Sequence, residues 1–308
     1  MASFRGHILN AAIRYASKRR LADLEFTPAT IAASRARLDR LGNRGALAPA
    51  LSRHSDDLGG VPTEWTRGNH PARGAILYCH GGGFVMGSSR AYRSMAARLA
   101  ALTRCDVAVI DYRLAPEHVY PAAPDDAIAA YRALLSRFDA SRIVIAGDSA
   151  GGNLALVTLL RARDQGLPLP GGAVLLSPWT DLTGSGGSMR TNAKRDPMLP
   201  AQRIDEAARL YAPTAQLDHP DVSPLFGDFS GLPPLSVHVG TTEILLDDSQ
   251  RLVERARQHG VSAELERWHR MPHVFPMFAE FLPEGRQALE LIGRFVTDRL
   301  NFNGVGDG

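Results

Sequence analysis

The sequence predicts an α/β fold built on one mostly parallel β-sheet. Short, continuously apolar runs rich in β-branched residues recur along the chain, and such runs are typical of parallel strands covered on both faces. Longer stretches with helical spacing separate them, and alternation of strand and helix favours a sheet flanked by helices. The chain has 308 residues, 44% hydrophobic and 22% charged, which suits one large core in a single domain over 1–308.

The predicted elements follow this pattern in chain order. Edge strands precede residue 70, and core strands are predicted over 74–79, 106–112, 142–148, 172–177, 234–240 and 263–268. Helices are predicted over 123–138, 150–165, 246–259 and 284–302. The core of the domain would therefore occupy about 61–178 and 233–302.

The most informative run is 142–153, where an apolar strand breaks into Gly147-Asp148-Ser149-Ala150-Gly151 ahead of an alanine- and leucine-rich helix. The flanking glycines let a sharp strand-to-helix turn close, so that the Ser149 hydroxyl projects above the sheet edge. The pattern G-x-S-x-G is weak by itself, because Gly and Ser are common residues. The strand before it and the helix after it make Ser149 the candidate nucleophile.

A second glycine-rich turn, His80-Gly81-Gly82-Gly83, directly follows the predicted strand 74–79. Successive glycines leave backbone N–H groups unshielded, as an oxyanion hole requires. We expect the N–H groups of Gly82, Gly83 and Ala150 to be the oxyanion donors. A phosphate-binding loop is the alternative, but this turn has neither G-x-G-x-x-G opening a helix nor a G-K-[ST] ending.

The chain resembles the hormone-sensitive-lipase-like family of α/β-hydrolases. The resemblance rests on these two motifs and on the segment Asp111-Tyr112-Arg113-Leu114-Ala115-Pro116-Glu117-His118. The resemblance extends from about residue 74 to the last helix. It implies an α/β-hydrolase fold with an eight-stranded, mostly parallel sheet. It also implies a serine carboxylesterase that cleaves short- to medium-chain acyl esters.

Two segments, about 1–45 and 179–232, lie outside the strand rhythm, and the resemblance implies that they form a helical cap over the active site. The first has helical apolar spacing, with a second helical stretch after Thr27-Pro28. In the second segment, Asp181, Asp196 and Asp221 lie among turn residues, which favours anchoring roles over catalytic ones.

A serine hydroxyl needs a base to take its proton during attack. Among ten histidines, His273 is the best placed, because it lies late in the chain between strand 263–268 and the last helix. The base in turn needs an acid from a loop that lies between Ser149 and His273 in the chain.

Glu243 meets that requirement, because it follows the predicted strand 234–240. In most family members this loop reads D-P-L-x-D, and the resemblance places Glu243 at the first aspartate and Ile244 at the proline. Asp247 is the alternative acid. Its position at the start of a helix favours a role in complementing the helix dipole.

The same motifs are compatible with two other functions. An amidase or deacetylase acting on arylamides would use the same residues. A non-catalytic small-molecule receptor on the same scaffold would not need His273, so this histidine favours turnover. No metal or organic cofactor is expected, because the sequence lacks H-E-x-x-H and paired C-x-x-C spacings.

Charge is concentrated at the N-terminus, where residues 1–44 hold nine basic and three acidic residues while the whole chain has a net charge of only +3. Such a segment can contact anionic lipid peripherally, or it can be a solvated face of the cap, which we favour. Local charge without a reader motif argues against nucleic-acid binding.

The compartment and assembly are also predicted. The sequence shows no secretion signal and no apolar run of the roughly 20 residues that a membrane span needs, so a cytoplasmic location is expected. Cys79 and Cys105 are too few for a disulfide framework and are expected to be reduced packing residues. The family resemblance suggests a homodimer that pairs through the edge strand near 263–268.

Overall fold

The computed structural model of the chain describes residues 3–23, 25–42 and 50–301, and these residues form one eight-stranded sheet flanked by helices. Its strands are β1 (Leu51–Leu58), β2 (Val61–Gly68), β3 (Ala75–Cys79), β4 (Asp106–Ile110), β5 (Ile143–Asp148), β6 (Gly172–Leu176), β7 (Leu235–Gly240) and β8 (Ala263–Trp268). Their spatial order is β1-β2-β4-β3-β5-β6-β7-β8. Only β2 runs antiparallel to its neighbours, β1 and β4, so the predicted, mostly parallel sheet is confirmed.

The helices agree with most of the predicted boundaries to within three residues. They are α1 (Phe4–Ile13), α2 (Arg19–Ala22), α3 (Pro28–Gly42), α4 (Arg93–Thr103), α5 (Ala122–Leu135), α6 (Ala150–Asp164), α7 (Ser188–Thr191), α8 (Ala201–Tyr211), α9 (Leu246–Gln258) and α10 (Pro283–Asn301). A π-helical turn, Arg14–Lys18, joins α1 to α2. Helix α4 is not among the predicted helices, although its buried Met95, Ala96, Leu99 and Ala100 follow helical spacing.

Two apolar layers cover the sheet, one on each face. Strand β3 sends Leu77 and Cys79 into the layer that also contains residues of α5, α6 and α9. It sends Ile76 and Tyr78 into the layer that contains residues of α4 and α10. Because successive side chains of a strand alternate between faces, a strand that is buried on both faces is apolar throughout, which explains the continuous apolar runs.

The register of the central strands brings their carboxyl ends to one edge of the sheet. Cys79 pairs with Gly147, and Gly147 pairs with Leu175. Leu176 pairs with His238 on the next strand. The loops that follow β3, β5, β6, β7 and β8 therefore emerge side by side, at the edge where sheets of this type bind their ligands.

The two segments predicted to form a cap contact each other. The Arg203 guanidinium, on α8, donates to the carbonyl of Ala22 at 2.8 Å. Residues 1–2, 24 and 43–45 of the first segment lie outside the described residues. Strand β1 pairs with β2 along its length, so the sheet begins at Leu51, ahead of the predicted core boundary near residue 61.

Across the described ranges, none of the helices combines the length and the apolar character that crossing a membrane would require.

Candidate active site

Ser149 lies in the sharp turn between β5 and α6, with φ 52° and ψ −122°. This conformation is strained for a residue with a Cβ, and the turn's glycines make it possible. A Cβ on Gly147 would lie 2.2 Å from the carbonyl oxygen of Gly151, and one on Gly151 would lie 2.0 Å from that of Cys79. The glycines on both sides of Ser149 are therefore required by close backbone approach.

The backbone N–H groups of Gly82, Gly83 and Ala150 have no hydrogen-bond acceptor within the described part of the chain. Gly82 and Gly83 have φ values of 125° and 65°, which favour glycine. The N–H of Gly81, in contrast, donates to the Tyr92 hydroxyl at 2.9 Å and to Asp148 Oδ1 at 3.0 Å. The predicted donors are thus the N–H groups of this loop that are available to a ligand oxygen, and Gly81 is not.

Asp148 fixes the glycine loop, residues 80–83, beside the nucleophile turn. Its carboxylate also accepts hydrogen bonds from the hydroxyls of Tyr78 at 3.0 Å and Tyr92 at 2.8 Å. Burial raises the pKa of Asp148 to about 6, against the opposing effect of these hydrogen bonds. The buried carboxylate of Asp148 thus holds the glycine loop to the end of β5, a role that no sequence motif indicates.

His80 also holds this loop in place. Its ring stacks on Tyr112 with 4.3 Å between ring centroids, and its carbonyl accepts a hydrogen bond from the Tyr112 hydroxyl at 2.7 Å. Both residues are buried. These contacts fix the start of the glycine loop against Tyr112.

His273 and Glu243 form a buried, hydrogen-bonded pair at the ends of β8 and β7. His273 Nδ1 lies 2.8 Å from Glu243 Oε2, and the two residues are 5% and 0% exposed. Burial lowers the pKa of His273, but the hydrogen bond and the charge of Glu243 outweigh it, so the net pKa is raised. Burial raises the pKa of Glu243, opposed mainly by His273. The pair is arranged to stabilise an imidazolium.

The other ring nitrogen of His273, Nε2, is free to accept a proton from the nucleophile. Within residues 3–23, 25–42 and 50–301, neither His273 Nε2 nor Ser149 Oγ has a hydrogen-bond partner. The charges of His273 and Asp148, the neighbour of Ser149, lie close enough to shift each other's pKa. A nucleophile and base without a formed hydrogen bond are common in ligand-free sites, where the contact tightens once substrate is bound.

Asp247 occupies a different position from Glu243. It lies in the first turn of α9, and its Oδ2 accepts a hydrogen bond from the N–H of Ser188 at 2.8 Å. No hydrogen bond joins it to His273 among the described residues. This geometry fits the helix-terminal role that the sequence favours.

Three aspartates of segment 179–232, which the sequence assigns to anchoring roles, make hydrogen bonds that hold the segment in place. Asp181 accepts hydrogen bonds from the Ser185 hydroxyl and from Arg251. Asp221 pairs with Arg161 at 2.7 Å. Asp196 accepts hydrogen bonds from backbone N–H groups, including that of Ile244 at 2.9 Å.

Ser177 also contacts the acid and the loop of the base, and it is not among the predicted site residues. It follows β6 directly, and its Oγ donates to Glu243 Oε1 at 2.9 Å and accepts from the Val274 N–H at 3.1 Å. The sequence feature that could have identified it is a polar residue directly after a central parallel strand. The carboxyl ends of these strands form the edge of the sheet where Ser149 also lies.

Helix α8 lies against the glycine loop. The ring of Tyr211 stacks on Phe84 with 3.8 Å between centroids and 8° between planes. A Cβ on Gly83 would lie 3.4 Å from Cβ of Ala207. Ser149 itself is only 8% exposed.

Comparisons with known proteins identify the family of this fold. The family model for the alpha/beta hydrolase fold matches residues 76–277. An acetyl-hydrolase of Streptomyces hygroscopicus is 39% identical over 240 residues, covering 78% of this chain and 80% of that protein. An esterase of Acinetobacter venetianus is 38% identical over 296 residues, covering 96% and 95%.

Solved structures give the same result. The crystal structure of an esterase from the bacterial hormone-sensitive lipase family superposes with a TM-score of 0.90 at 39% identity, covering 97% of this chain and 99% of that one. A hormone-sensitive lipase from a metagenome library superposes with a TM-score of 0.91 at 37% identity, covering 97% and 100%. The chain therefore belongs to the hormone-sensitive-lipase-like family of α/β-hydrolases, and it is a carboxylic ester hydrolase.

Proposed function

We propose that the enzyme cleaves esters through an acyl-enzyme formed on Ser149, with His273 as the base and Glu243 as the acid that orients it. The observation that carries the proposal is the buried hydrogen bond between His273 Nδ1 and Glu243 Oε2, 2.8 Å long. It leaves Nε2 as the nitrogen that receives a proton.

The reaction has two stages. Ser149 Oγ attacks the ester carbonyl while its proton passes to His273 Nε2, and the tetrahedral intermediate expels the alcohol, which takes that proton. Water then attacks the acyl-enzyme, again losing a proton to His273, and the carboxylic acid leaves as Ser149 regains its hydrogen. Glu243 stabilises the imidazolium in both stages.

The N–H groups of Gly82, Gly83 and Ala150 are proposed to bind the oxyanion. Their support is that none has an acceptor among the described residues. Ala150 begins α6, whose dipole favours negative charge at this end. Removing one such donor typically costs about 3 to 4 kcal/mol of transition-state stabilisation.

Short- to medium-chain acyl esters are the proposed substrates. The names of the relatives, an acetyl-hydrolase and an esterase, support this class. The contact of α8 with Phe84 and Gly83 supports the proposal that segments 1–45 and 179–232 cap the site and limit its size.

The test is a series of p-nitrophenyl esters from acetate to palmitate, assayed with wild type, Ser149→Ala, Glu243→Gln and Asp247→Asn. We expect the highest kcat/KM at short to medium chains and no turnover by Ser149→Ala. Of the two carboxylate variants, Glu243→Gln should lose most of its kcat/KM, whereas Asp247→Asn should keep it. If Asp247→Asn abolished turnover while Glu243→Gln stayed near normal, Glu243 would not be the triad acid.

Contacts beyond the substrate are also proposals. Arg14 donates to the carbonyls of Lys194 and Arg195, which favours a cap role for the basic N-terminus. Phe4 on α1 is nevertheless 80% exposed, which supports peripheral contact with anionic lipid. Sedimentation of the protein with phosphatidylglycerol vesicles, compared with phosphatidylcholine vesicles, tests this contact.

Assembly and location complete the proposal. Strand β8 is the last strand of the sheet, which supports a homodimer paired through this edge. Light scattering that showed only monomer would refute that pairing. A cytoplasmic location stays a prediction that cell fractionation tests.

A further inference from the structure

Segment 188–196, which consists of α7 and the turns that follow it, packs against the loop that contains Glu243. Ser188, Asn192 and Asp196 recur every four residues along it, a spacing that places side chains on one face. All three are buried. Each of them makes hydrogen bonds to the backbone of residues 241–247, which we call the acid loop.

The contacts converge on a single peptide group. Asn192 Nδ2 donates to the carbonyl of Glu243 at 2.8 Å, and Asp196 Oδ2 accepts from the N–H of Ile244 at 2.9 Å. These two groups belong to the same peptide bond, so its plane is held from both ends. The orientation of that plane sets the direction in which the Glu243 side chain leaves the backbone.

Further hydrogen bonds hold the flanks of the same peptide. Ser188 Oγ donates to the carbonyl of Ile244 at 2.6 Å and accepts from the N–H of Asp247 at 3.0 Å. Asn192 Nδ2 also lies 3.3 Å from the carbonyl of Thr241. The acid loop is therefore fixed on both sides of Glu243 by segment 188–196.

The N-terminal segment holds segment 188–196 from its other end. The last carbonyls of a helical turn lack intrahelical donors and are favourable sites for cations. Lys18 Nζ donates to the carbonyls of Ala193 and Asp196, both at 2.6 Å. Arg14 donates to the carbonyls of Lys194 and Arg195, both at 2.8 Å.

We propose that Ser188, Asn192 and Asp196 are positioning residues for the triad acid, held in place by Arg14 and Lys18. The proposal rests on the proposed role of Glu243. Glutamate has one more side-chain torsion than aspartate, so a small rotation of its backbone displaces its carboxylate further. A tightly held peptide group compensates for that freedom, and misplacement of a catalytic group by about 1 Å can cost about 100-fold in rate.

Asp196 makes a second contribution through its charge. Three carboxylates raise the pKa of His273, namely Glu243, Asp196 and Asp148, while burial lowers it. Asn192 carries no charge. Substitution of Asp196 therefore changes both geometry and electrostatics, whereas substitution of Asn192 changes geometry alone.

The experiment compares Asn192→Ala and Asp196→Asn, each alone and combined with Glu243→Gln. Asp196→Asn keeps the side-chain shape, so it remains informative if Asn192→Ala folds poorly. The matched control is Thr191→Ala, an exposed neighbour on α7. The readouts are kcat and KM for p-nitrophenyl butyrate, per active site titrated with a fluorophosphonate, and the pH profile of kcat/KM.

We expect each single variant to lose about tenfold in kcat with KM within about twofold, as for a small misplacement of the acid. In the Glu243→Gln background the further loss should stay below about twofold, because the residue acts through Glu243. Asp196→Asn should also move the acidic limb of the profile to lower pH, which Asn192→Ala should not do. Thr191→Ala should match wild type.

Two results separate this inference from the proposed function. If the single variants kept wild-type kcat while Glu243→Gln lost activity, or if they lost kcat equally in both backgrounds, the positioning role would be overturned and the triad would stand. If Glu243→Gln kept wild-type activity, the triad assignment and the positioning role would both fail.

Discussion

Ser177 Oγ donates a hydrogen bond of 2.9 Å to Glu243 Oε1, and the same oxygen accepts one of 3.1 Å from the N–H of Val274, next to His273. One hydroxyl therefore ties together the loops that present the acid and the base. Ser177 has a φ of 46°, a conformation unfavourable for most side chains. At Ser177, backbone strain therefore accompanies contacts with both loops.

Substitution of Ser177 should reduce turnover. Ser177→Ala removes a hydrogen bond to a charged group, an interaction worth about 1.5 to 3 kcal/mol, so we expect kcat/KM to fall by about tenfold or more. The measurement is steady-state hydrolysis of p-nitrophenyl butyrate, with circular dichroism to check the fold. Ser136→Ala, at an exposed serine, is the control, and equal activity of the two variants would contradict the role of Ser177.

The pH dependence of hydrolysis follows from the His273–Glu243 pair. The base must be neutral to accept the serine proton, and the net pKa of His273 is raised above its ordinary value of 6.5 by Glu243. The acidic limb of kcat/KM should therefore have a midpoint above 6.5, with activity lost as pH falls through it. In Glu243→Gln the residual activity should show that midpoint shifted to lower pH. A midpoint that stayed in place would argue against charge coupling of the two residues.

The glycine loop should not tolerate a side chain at Gly82. Its φ is 125°, and a Cβ there would lie 2.0 Å from the carbonyl oxygen of Met86. Gly82→Ala should displace an oxyanion donor and lower kcat by about 100-fold or more. The matched control is Gly60→Ala, which has a φ of 88° but nothing within 4 Å of the added Cβ. That variant should lose about 1 kcal/mol of stability and keep its kcat, and similar kcat losses in both would contradict the assignment.

Stability at alkaline pH should depend on Asp248. Burial and the charge of Asp181 raise its pKa from 3.8 to about 8, although it accepts the N–H groups of Thr180 and Asp181. A raised pKa means that the stabilising contribution is full below 3.8 and is lost as pH rises through about 8. An asparagine oxygen can accept the same two bonds without ionising. Asp248→Asn should therefore gain Tm over wild type progressively between pH 5 and pH 9, and a pH-independent difference would contradict this.

Much of the site could be predicted because its signals are local. The strand, the glycines and the helix around Ser149 lie within a dozen residues, and sterics at Gly147 and Gly151 require that sequence. The order of serine, acid and histidine along the chain follows from the order of the strands. In contrast, Ser177 and Asn192 have no motif of their own, because their partners lie 66 and 51 residues away in the chain.

The sequence by itself determined the α/β architecture, the strained turn at Ser149 and the loop of exposed amides, because each depends on residues that are neighbours in the chain. Only the tertiary structure decided that Glu243, and not Asp247, faces His273. Both carboxylates lie on the acid loop, and the directions of their side chains depend on the hydrogen bonds between segment 188–196 and that loop. Hydrogen bonds from the side chains of that segment to the backbone of the acid loop hold this orientation. The loop motif favoured Glu243 but left Asp247 open, because contacts between residues far apart in the chain leave no local pattern.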